Sequence, residues 1–232
     1  YTDFVGEVIS ALRVADGVLV LVDSVAGLEV GTEVALRYAD SFKLPRFLVV
    51  NKMERENANF KNAVDSVQKH SDTRLIPVQL PWGEKAAFQG VIDLITMKAY
   101  KGDGKTASDI PAEYKDAAEE ARQALIEAAA EGEDSLLEKY LESGSLTGQE
   151  VMTGLKKVVL SGSFIPVFCS SGTQEIGIAR LLDAIVTLMP SPSEIPAVEA
   201  EGKGGAEPLS ASDSGPLAAY VWKTTADPFV GK

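Results

Sequence analysis

The 232 residues carry 22 basic and 34 acidic side chains, a formal charge of −12, with 45% hydrophobic content. That is enough apolar material for a substantial core in one or two domains, and the acidic balance excludes the single-signed basic surface of a dedicated, sequence-specific nucleic-acid binder. One cysteine, Cys169, excludes an internal disulfide, and no run approaches the roughly 18 apolar residues that span a bilayer, so the expected setting is cytoplasmic with no membrane partner. The first residue is Tyr1 rather than Met and runs at once into an apolar-periodic segment, which reads as an internal piece of a longer chain.

Val5, Val8, Ile9, Leu12 and Ala15 recur at helical spacing and predict an amphipathic helix over residues 3–15, ended by Gly17. Val18 to Val22 is a continuous apolar run closed by Asp23, the pattern of a strand buried on both faces. A loop with two glycines leads to a helix over 33–42, and Leu44-Pro45-Arg46 connects to a second apolar run, Phe47 to Val50. Strand, helix, strand with short loops implies a parallel pair with a right-handed crossover. A third helix is expected over 59–69.

The texture then changes. Leu75 to Pro81, Ala87 to Ile95 and Lys98 to Lys101 are strand-like pieces of a small, antiparallel sheet, and residues 111–130 form a helix with Asp109 as its cap and Ala117, Ala121, Leu125 and Ala128 on one face. A short helix around Leu136 to Leu141 follows. Between Asp109 and Glu142 stand 11 acidic and 3 basic side chains, read either as a solvated helical face or as a surface for a basic partner. A helix over 151–160 and a strand over Ile165 to Phe168 resume the first pattern, which makes 73–147 an insertion between the domain's middle part, 1–72, and its final part, 148–190. Ile178 to Met189 closes that domain. Residues 191–215, rich in Pro, Gly, Ser and Glu, read as a linker, and Leu217 to Thr224 as one more strand.

The chemistry concentrates after the second apolar run, in Asn51-Lys52-Met53-Glu54. Open α/β sheets bind ligands at the carboxyl ends of their strands, and an Asn-Lys-x-acid tetrad there is the outline of a guanine-reading loop. Guanine presents a ring N–H and an exocyclic amino group side by side, and one carboxylate accepts both. Adenine offers an acceptor at the same ring position, and the mismatch leaves a buried polar group unpaired at a cost of about 1–3 kcal/mol. Glu54 is the candidate carboxylate, Asn51 the tether, Lys52 the stem over the base plane and Met53 a spacer. A second polar loop, Ser170-Ser171-Gly172, follows the strand ending at Phe168, and its small residues let backbone N–H groups approach a carbonyl oxygen; an ordinary turn is the competing reading.

A phosphate-binding P-loop is missing: Gly104-Lys105, Gly202-Lys203 and Gly231-Lys232 have Ala99, Ala197 and Ala226 where the first Gly belongs. The looser dinucleotide pattern Gly102 to Ala107 is separated from the next helix by Pro111, too far for a helix N-terminus to meet a pyrophosphate. His70 stands alone and reads as a surface histidine, Cys169 as a buried structural thiol, and Trp82 and Trp222 as packing residues.

Residues 51–60, Asn-Lys-Met-Glu-Arg-Glu-Asn-Ala-Asn-Phe, resemble the Asn-Lys-Met-Asp-Arg-x-x-Ala-Asn-Phe segment of elongation factor G, the family of ribosomal translocase GTPases. Pro166-Val167-Phe168 with Ser171-Gly172 is similar to its second base loop, and residues 226–232, Ala-Asp-Pro-Phe-Val-Gly-Lys, match the opening of its barrel domain, a segment that separates the family from the related peptide-release GTPases. The resemblance implies a fold and a site. The fold is α/β, a P-loop-NTPase-type parallel sheet with flanking helices and its N-terminal strands missing, interrupted by a small α+β inserted subdomain at 73–147. Residues 216–232 would follow as the first strand of a β-barrel. Asn51, Lys52, Glu54, Ser171 and Gly172 would bind GTP or GDP, with Mg2+ ligands and phosphate loop outside this chain and no hydrolysis by this piece alone. The ribosome is the implied partner, and the insert would face the ribosomal stalk protein.

Two residues depart from the family pattern. Tyr1 stands where the resemblance places the His that positions the attacking water, and a phenol with a pKa of about 10 does not exchange protons at pH 7 as imidazole does. Glu54 replaces Asp and moves its carboxylate by roughly 1.5 Å, where placement within about 0.5 Å matters. Two readings follow: a GTP-hydrolysing translation factor of the elongation factor G type, or a nucleotide-independent or hydrolysis-impaired ribosome-binding regulatory paralogue. A dinucleotide-binding oxidoreductase is a distant third.

Overall fold

The computed structural model describes residues 2–202, 205–215 and 217–225; Tyr1 and the segment 226–232 lie outside the described residues. In chain order the strands are β1 (Val18–Asp23), β2 (Arg46–Asn51), β3 (Arg74–Pro77), β4 (Gln79–Trp82), β5 (Gly90–Asp93), β6 (Lys98–Lys101), β7 (Ala107–Ser108), β8 (Phe164–Cys169), β9 (Val198–Gly202) and β10 (Gly205–Leu209). The helices are α1 (Val5–Leu12), α2 (Val30–Ser41), α3 (Phe60–Gln68), α4 (Ala112–Ala130), α5 (Asp134–Ser143), α6 (Gly148–Ser161) and α7 (Ile178–Leu188). Strands β1, β2, β8 and β3 form a parallel sheet in that order, and β4 to β7 form an antiparallel sheet in sequence order. The α/β class with a parallel sheet and flanking helices is therefore the observed architecture.

The parallel sheet is buried by alternation. Leu48 and Val50 of β2, with Ile165 and Val167 of β8, face a core shared with Leu36, Phe60, Ala63 and Val67 of α2 and α3. Phe47, Val49, Phe164 and Phe168 point to the opposite core, with Leu155, Val158 and Val159 of α6 and Leu181, Ala184 and Leu188 of α7. Phe47 and Phe168 lie against one another with ring centroids 4.8 Å apart.

Several expectations are corrected. Strand β1 is covered on one face only: Val20 and Val22 are buried, whereas Leu19 and Leu21 are 37% and 59% exposed. Among the described residues it stands at the edge of the four-stranded sheet, and the helices on the far face cover β2 and β8. The run Leu75 to Pro81 is two strands in two sheets, because the chain switches at Val78, whose N–H donates to Val167 and whose carbonyl accepts from Leu94. Asp109 does not cap α4; it pairs with Lys98 at 2.8 Å, and the buried face of α4 runs through Ala118 rather than Ala117. Within the expected linker, Val198–Gly202 and Gly205–Leu209 pair as antiparallel strands. Residues 217–225 form no strand, since nothing among the described residues pairs with them; they lie beside α1, where Arg13 donates to the Tyr220 hydroxyl at 2.8 Å and Lys223 meets Glu7 at 2.6 Å, leaving Trp222 half-exposed rather than packed. Trp82 packs at the edge of the core as expected.

The antiparallel sheet joins the parallel one through α7. The Arg180 guanidinium lies 4.5 Å from the Tyr100 ring centroid, and Gly177 approaches Val91 so closely that an added Cβ would stand 3.1 Å from its methyl group. Below it, α4 and α6 cross at glycine: a Cβ on Gly154 would stand 2.1 Å from the Ala129 carbonyl oxygen. Gly154→Ala therefore inverts the ordinary helix preference for alanine, worth up to about 1 kcal/mol, into a net loss of about 1–3 kcal/mol from overpacking. The urea midpoint of the chain falls for Gly154→Ala and stays or rises for Gly6→Ala, where an added Cβ meets nothing within 4 Å.

Candidate functional site

Parallel pairing brings three strand ends to one level. Asp23 stands opposite Asn51, and Val50 opposite Cys169. The loops that leave these ends are stitched by backbone hydrogen bonds: Ser170 N–H to Val50 (2.9 Å), Met53 N–H to Ser170 (3.2 Å), Ser24 N–H to Asn51 (2.9 Å) and Asn59 N–H to Ser24 (3.0 Å). The tetrad and the small-residue loop, 119 residues apart in sequence, form one surface.

Asn51 is its tether. Its side-chain carbonyl oxygen accepts from the Gly172 N–H at 3.0 Å and from the Ser170 hydroxyl at 3.2 Å, so one amide group fixes the second loop. Lys52 sits in the left-handed region, with φ 63, and its carbonyl accepts from the buried Ser24 hydroxyl at 2.8 Å and the Arg55 N–H at 3.1 Å. That turn exposes the Lys52 side chain and drives Met53 inward. Met53, expected to be a spacer, is fully buried among Val22, Val50 and Phe60 and anchors the loop to the core.

Glu54 reaches across to the second loop, where Oε1 accepts from the Thr173 hydroxyl at 2.9 Å. Oε2 is buried with no hydrogen-bond partner. Burial works to raise the carboxyl pKa, but the nearby Ser171 hydroxyl, the residue's own amide, Thr173 and the charge of Arg55 outweigh it, and the pKa is held below its ordinary value. Ser171 contributes most among the groups that favour the charged form. Ser171 is buried, and its N–H and carbonyl pair with Ile176 at 3.0 and 3.1 Å to close the loop. Gly172 is not forced by crowding, since a Cβ would meet Asn51 at an ordinary 3.7 Å.

Asp23 and Ser24 complete the site and escape a sequence reading, which takes Asp23 only as the end of a strand. Lys52 Nζ lies 2.8 Å and Arg55 Nη1 3.3 Å from Asp23 Oδ2, while Oδ1 accepts from the Val25 and Ala26 N–H groups. Partial burial pushes the Asp23 carboxyl up, but the Lys52 ammonium and the two backbone donors dominate and bring it down to about 2. A polar residue closing an apolar run was the available signal; its partners come from another loop. Cys169 is buried at the strand end, its thiol pushed up by burial, and serves packing. His70 is exposed with Nδ1 3.1 Å from the Ser66 carbonyl, away from the site. The Gly102 to Ala107 pattern leads into β7, not a helix.

Loops gathered at the carboxyl end of a parallel sheet flanked by helices are where open α/β proteins bind their ligands, and this chain is of that class. Residues 1–191 match the family described as the elongation factor Tu GTP binding domain. Elongation factor G of Fervidobacterium nodosum is 39% identical over an alignment of 238 residues that covers 100% of this chain and 34% of that protein. A solved structure from Thermus thermophilus superposes with a TM-score of 0.76 at 30% identity, over 90% of this chain and 37% of that one. The chain belongs to the elongation factor Tu-type GTP-binding domain family of translation GTPases, and it spans about a third of the length of these relatives.

The Asp23 cluster sets an acid limit on the fold. A carboxylate whose folded pKa is about 2 against an ordinary 3.8 stabilises the fold at and above about pH 5 and loses that contribution as pH falls through the folded value. Asp23→Asn therefore lowers the melting temperature at pH 7, by the equivalent of about 1–2 kcal/mol after solvent screening, and the gap to the wild type narrows between about pH 4 and pH 2.

Proposed function

We propose that this chain supplies the guanine-reading half of the nucleotide site in a longer translation GTPase of the elongation factor G type. The observation that carries the reading is the Glu54 carboxylate, held between two loops tied by Asn51, with one oxygen buried and unpartnered. It is an acceptor short of a donor, and guanine offers two donors side by side. Asn51 orients the loops and the base edge, the Lys52 stem covers the base plane with its ammonium drawn to Asp23, and the Ser171-Gly172 backbone faces the guanine carbonyl. Bound GTP supplies the phosphoanhydride whose hydrolysis drives the factor's cycle. This chain's own residues read the base and hold it, while the phosphate loop and any Mg2+ ligands belong to the rest of the protein.

On this reading the longer protein acts on the ribosome during translocation, in the cytoplasm, and residues 73–147 form a subdomain inserted between the GTPase segments 1–72 and 148–190. The 11 acidic side chains between Asp109 and Glu142 give that subdomain a charge suited to a basic partner, for which a ribosomal stalk protein is the proposal. A nucleotide-independent regulatory paralogue is the outcome if guanine selectivity is missing.

In the full-length protein, a fluorescent guanosine nucleotide is displaced by GDP and not by ADP at the same concentration, and equal affinity for the two overturns the assignment. Glu54→Ala lowers GDP affinity by about 10- to 100-fold with ADP unchanged, the effect of deleting a charged acceptor of two donors. The 232-residue chain alone turns over no GTP in a phosphate-release assay. Turnover that disappears with Asn51→Ala would mean that the catalytic machinery lies within this chain.

A further inference from the structure

Glu54 carries its carboxylate one methylene further from the backbone than aspartate would, and the extra reach brings it to a partner on the facing loop. Thr173 Oγ1 lies 2.9 Å from Glu54 Oε1. An ionised carboxylate only accepts, so Thr173 commits its single hydroxyl hydrogen to Glu54. The Ser171 hydroxyl lies 3.4 Å from Thr173 Oγ1, and its oxygen accepts from the Gln174 N–H at 3.3 Å. The tip that carries Thr173 is held by the paired Ser171 and Ile176 hydrogen bonds, while Thr173 itself is exposed.

This arrangement turns the carboxylate toward the protein. Oε1 is engaged by Thr173, and Oε2 is sealed from solvent without a partner of its own. Oε1 keeps a lone pair for one further donor, but with Oε2 sealed a base with two adjacent N–H donors meets both oxygens only once the carboxylate turns away from Thr173, a rotation about terminal torsions that are soft and roughly two-fold. We propose that Thr173 is an intramolecular competitor for the base-reading carboxylate, a positioning residue that weakens guanine nucleotide binding by holding Glu54 in a conformation the base must displace. The inference rests on Glu54 being the guanine reader. A ligand that binds only one of two populated arrangements has its apparent affinity reduced by the fraction in that arrangement. Ligands that make no use of the carboxylate are indifferent to the competition.

The sign of the effect separates this role from a supporting one. In the full-length protein, Thr173→Val, which keeps the shape and removes the donor, tightens GDP binding by about three- to tenfold in competition titrations, the range for one exposed hydroxyl–carboxylate bond, and leaves ADP affinity unchanged. Thr173→Ser retains the donor and matches the wild type. In a Glu54→Asp background, whose shorter side chain cannot reach Thr173, Thr173→Val has no effect on GDP binding. Weaker GDP binding by Thr173→Val makes Thr173 a support for the carboxylate and overturns the proposal, as does an unchanged affinity. A wild-type protein that fails to prefer GDP over ADP removes the base-reading assignment itself, whereas a preference that Thr173→Val leaves untouched removes only the competitor.

Discussion

The register of three parallel strands is the constraint from which the rest follows. Parallel strands end on the same side of a sheet, and the pairing of Asp23 with Asn51 and of Val50 with Cys169 makes β1, β2 and β8 end at one level. Shifting β2 by one residue would turn Asn51 into the core and send Val50 into the loop, because successive side chains point to opposite faces. The register is fixed from both sides at once: Leu48 and Val50 are bound to one core, Phe47 and Val49 to the other. The position of every polar group at the site is thus set by apolar contacts beneath it.

The second sheet meets that level from the side. Val78 belongs to both sheets through its N–H and its carbonyl, and the chain returns from β8 to α7 through Gly177, which is in the left-handed conformation and abuts Val91. Arg180, one turn further on, closes over Tyr100 of β6. The loop that carries Ser171 and Thr173 is therefore bracketed by the parallel sheet at one end and the antiparallel sheet at the other. Its geometry depends on the packing of β4 to β7 as much as on the strand it leaves.

How much of this was legible in the sequence depended on whether a residue's partners were near it. The apolar runs at 18–22, 47–50 and 165–168 identify the strands, and Asn51 with Glu54 and Ser171 with Gly172 identify the loops, because each pattern is local. Whether an apolar run is buried on one face or two is not local: Val18 to Val22 reads like a central strand, and Leu21 is exposed because nothing among the described residues covers that face. The switch at Val78 was hidden because residues 75–81 are uniformly strand-like, while the two halves pair with strands far apart in the chain. Leu217 to Thr224 has the composition of a strand without a partner among the described residues, and composition alone does not hydrogen-bond. At the site, Ser24, Asp23 and Thr173 are short polar residues in loops, and they become recognisable only when the fold sets Lys52 and Glu54 beside them.

The burial of Met53 bears on how a base enters and leaves. A loop that ends in solvent can swing on a nanosecond timescale, but one rooted in the core moves only if its root is withdrawn. Extracting a buried methionine side chain from close-packed neighbours costs on the order of 2–5 kcal/mol, so an opened tetrad is populated from a few per cent down to a few parts in ten thousand. If Asn51 to Glu54 read a base as proposed, the backbone of that half of the site is a preformed wall. On that proposal, exchange of a nucleotide against it would proceed through side-chain rearrangement and through whatever surrounds the phosphates, leaving the floor of the site in place.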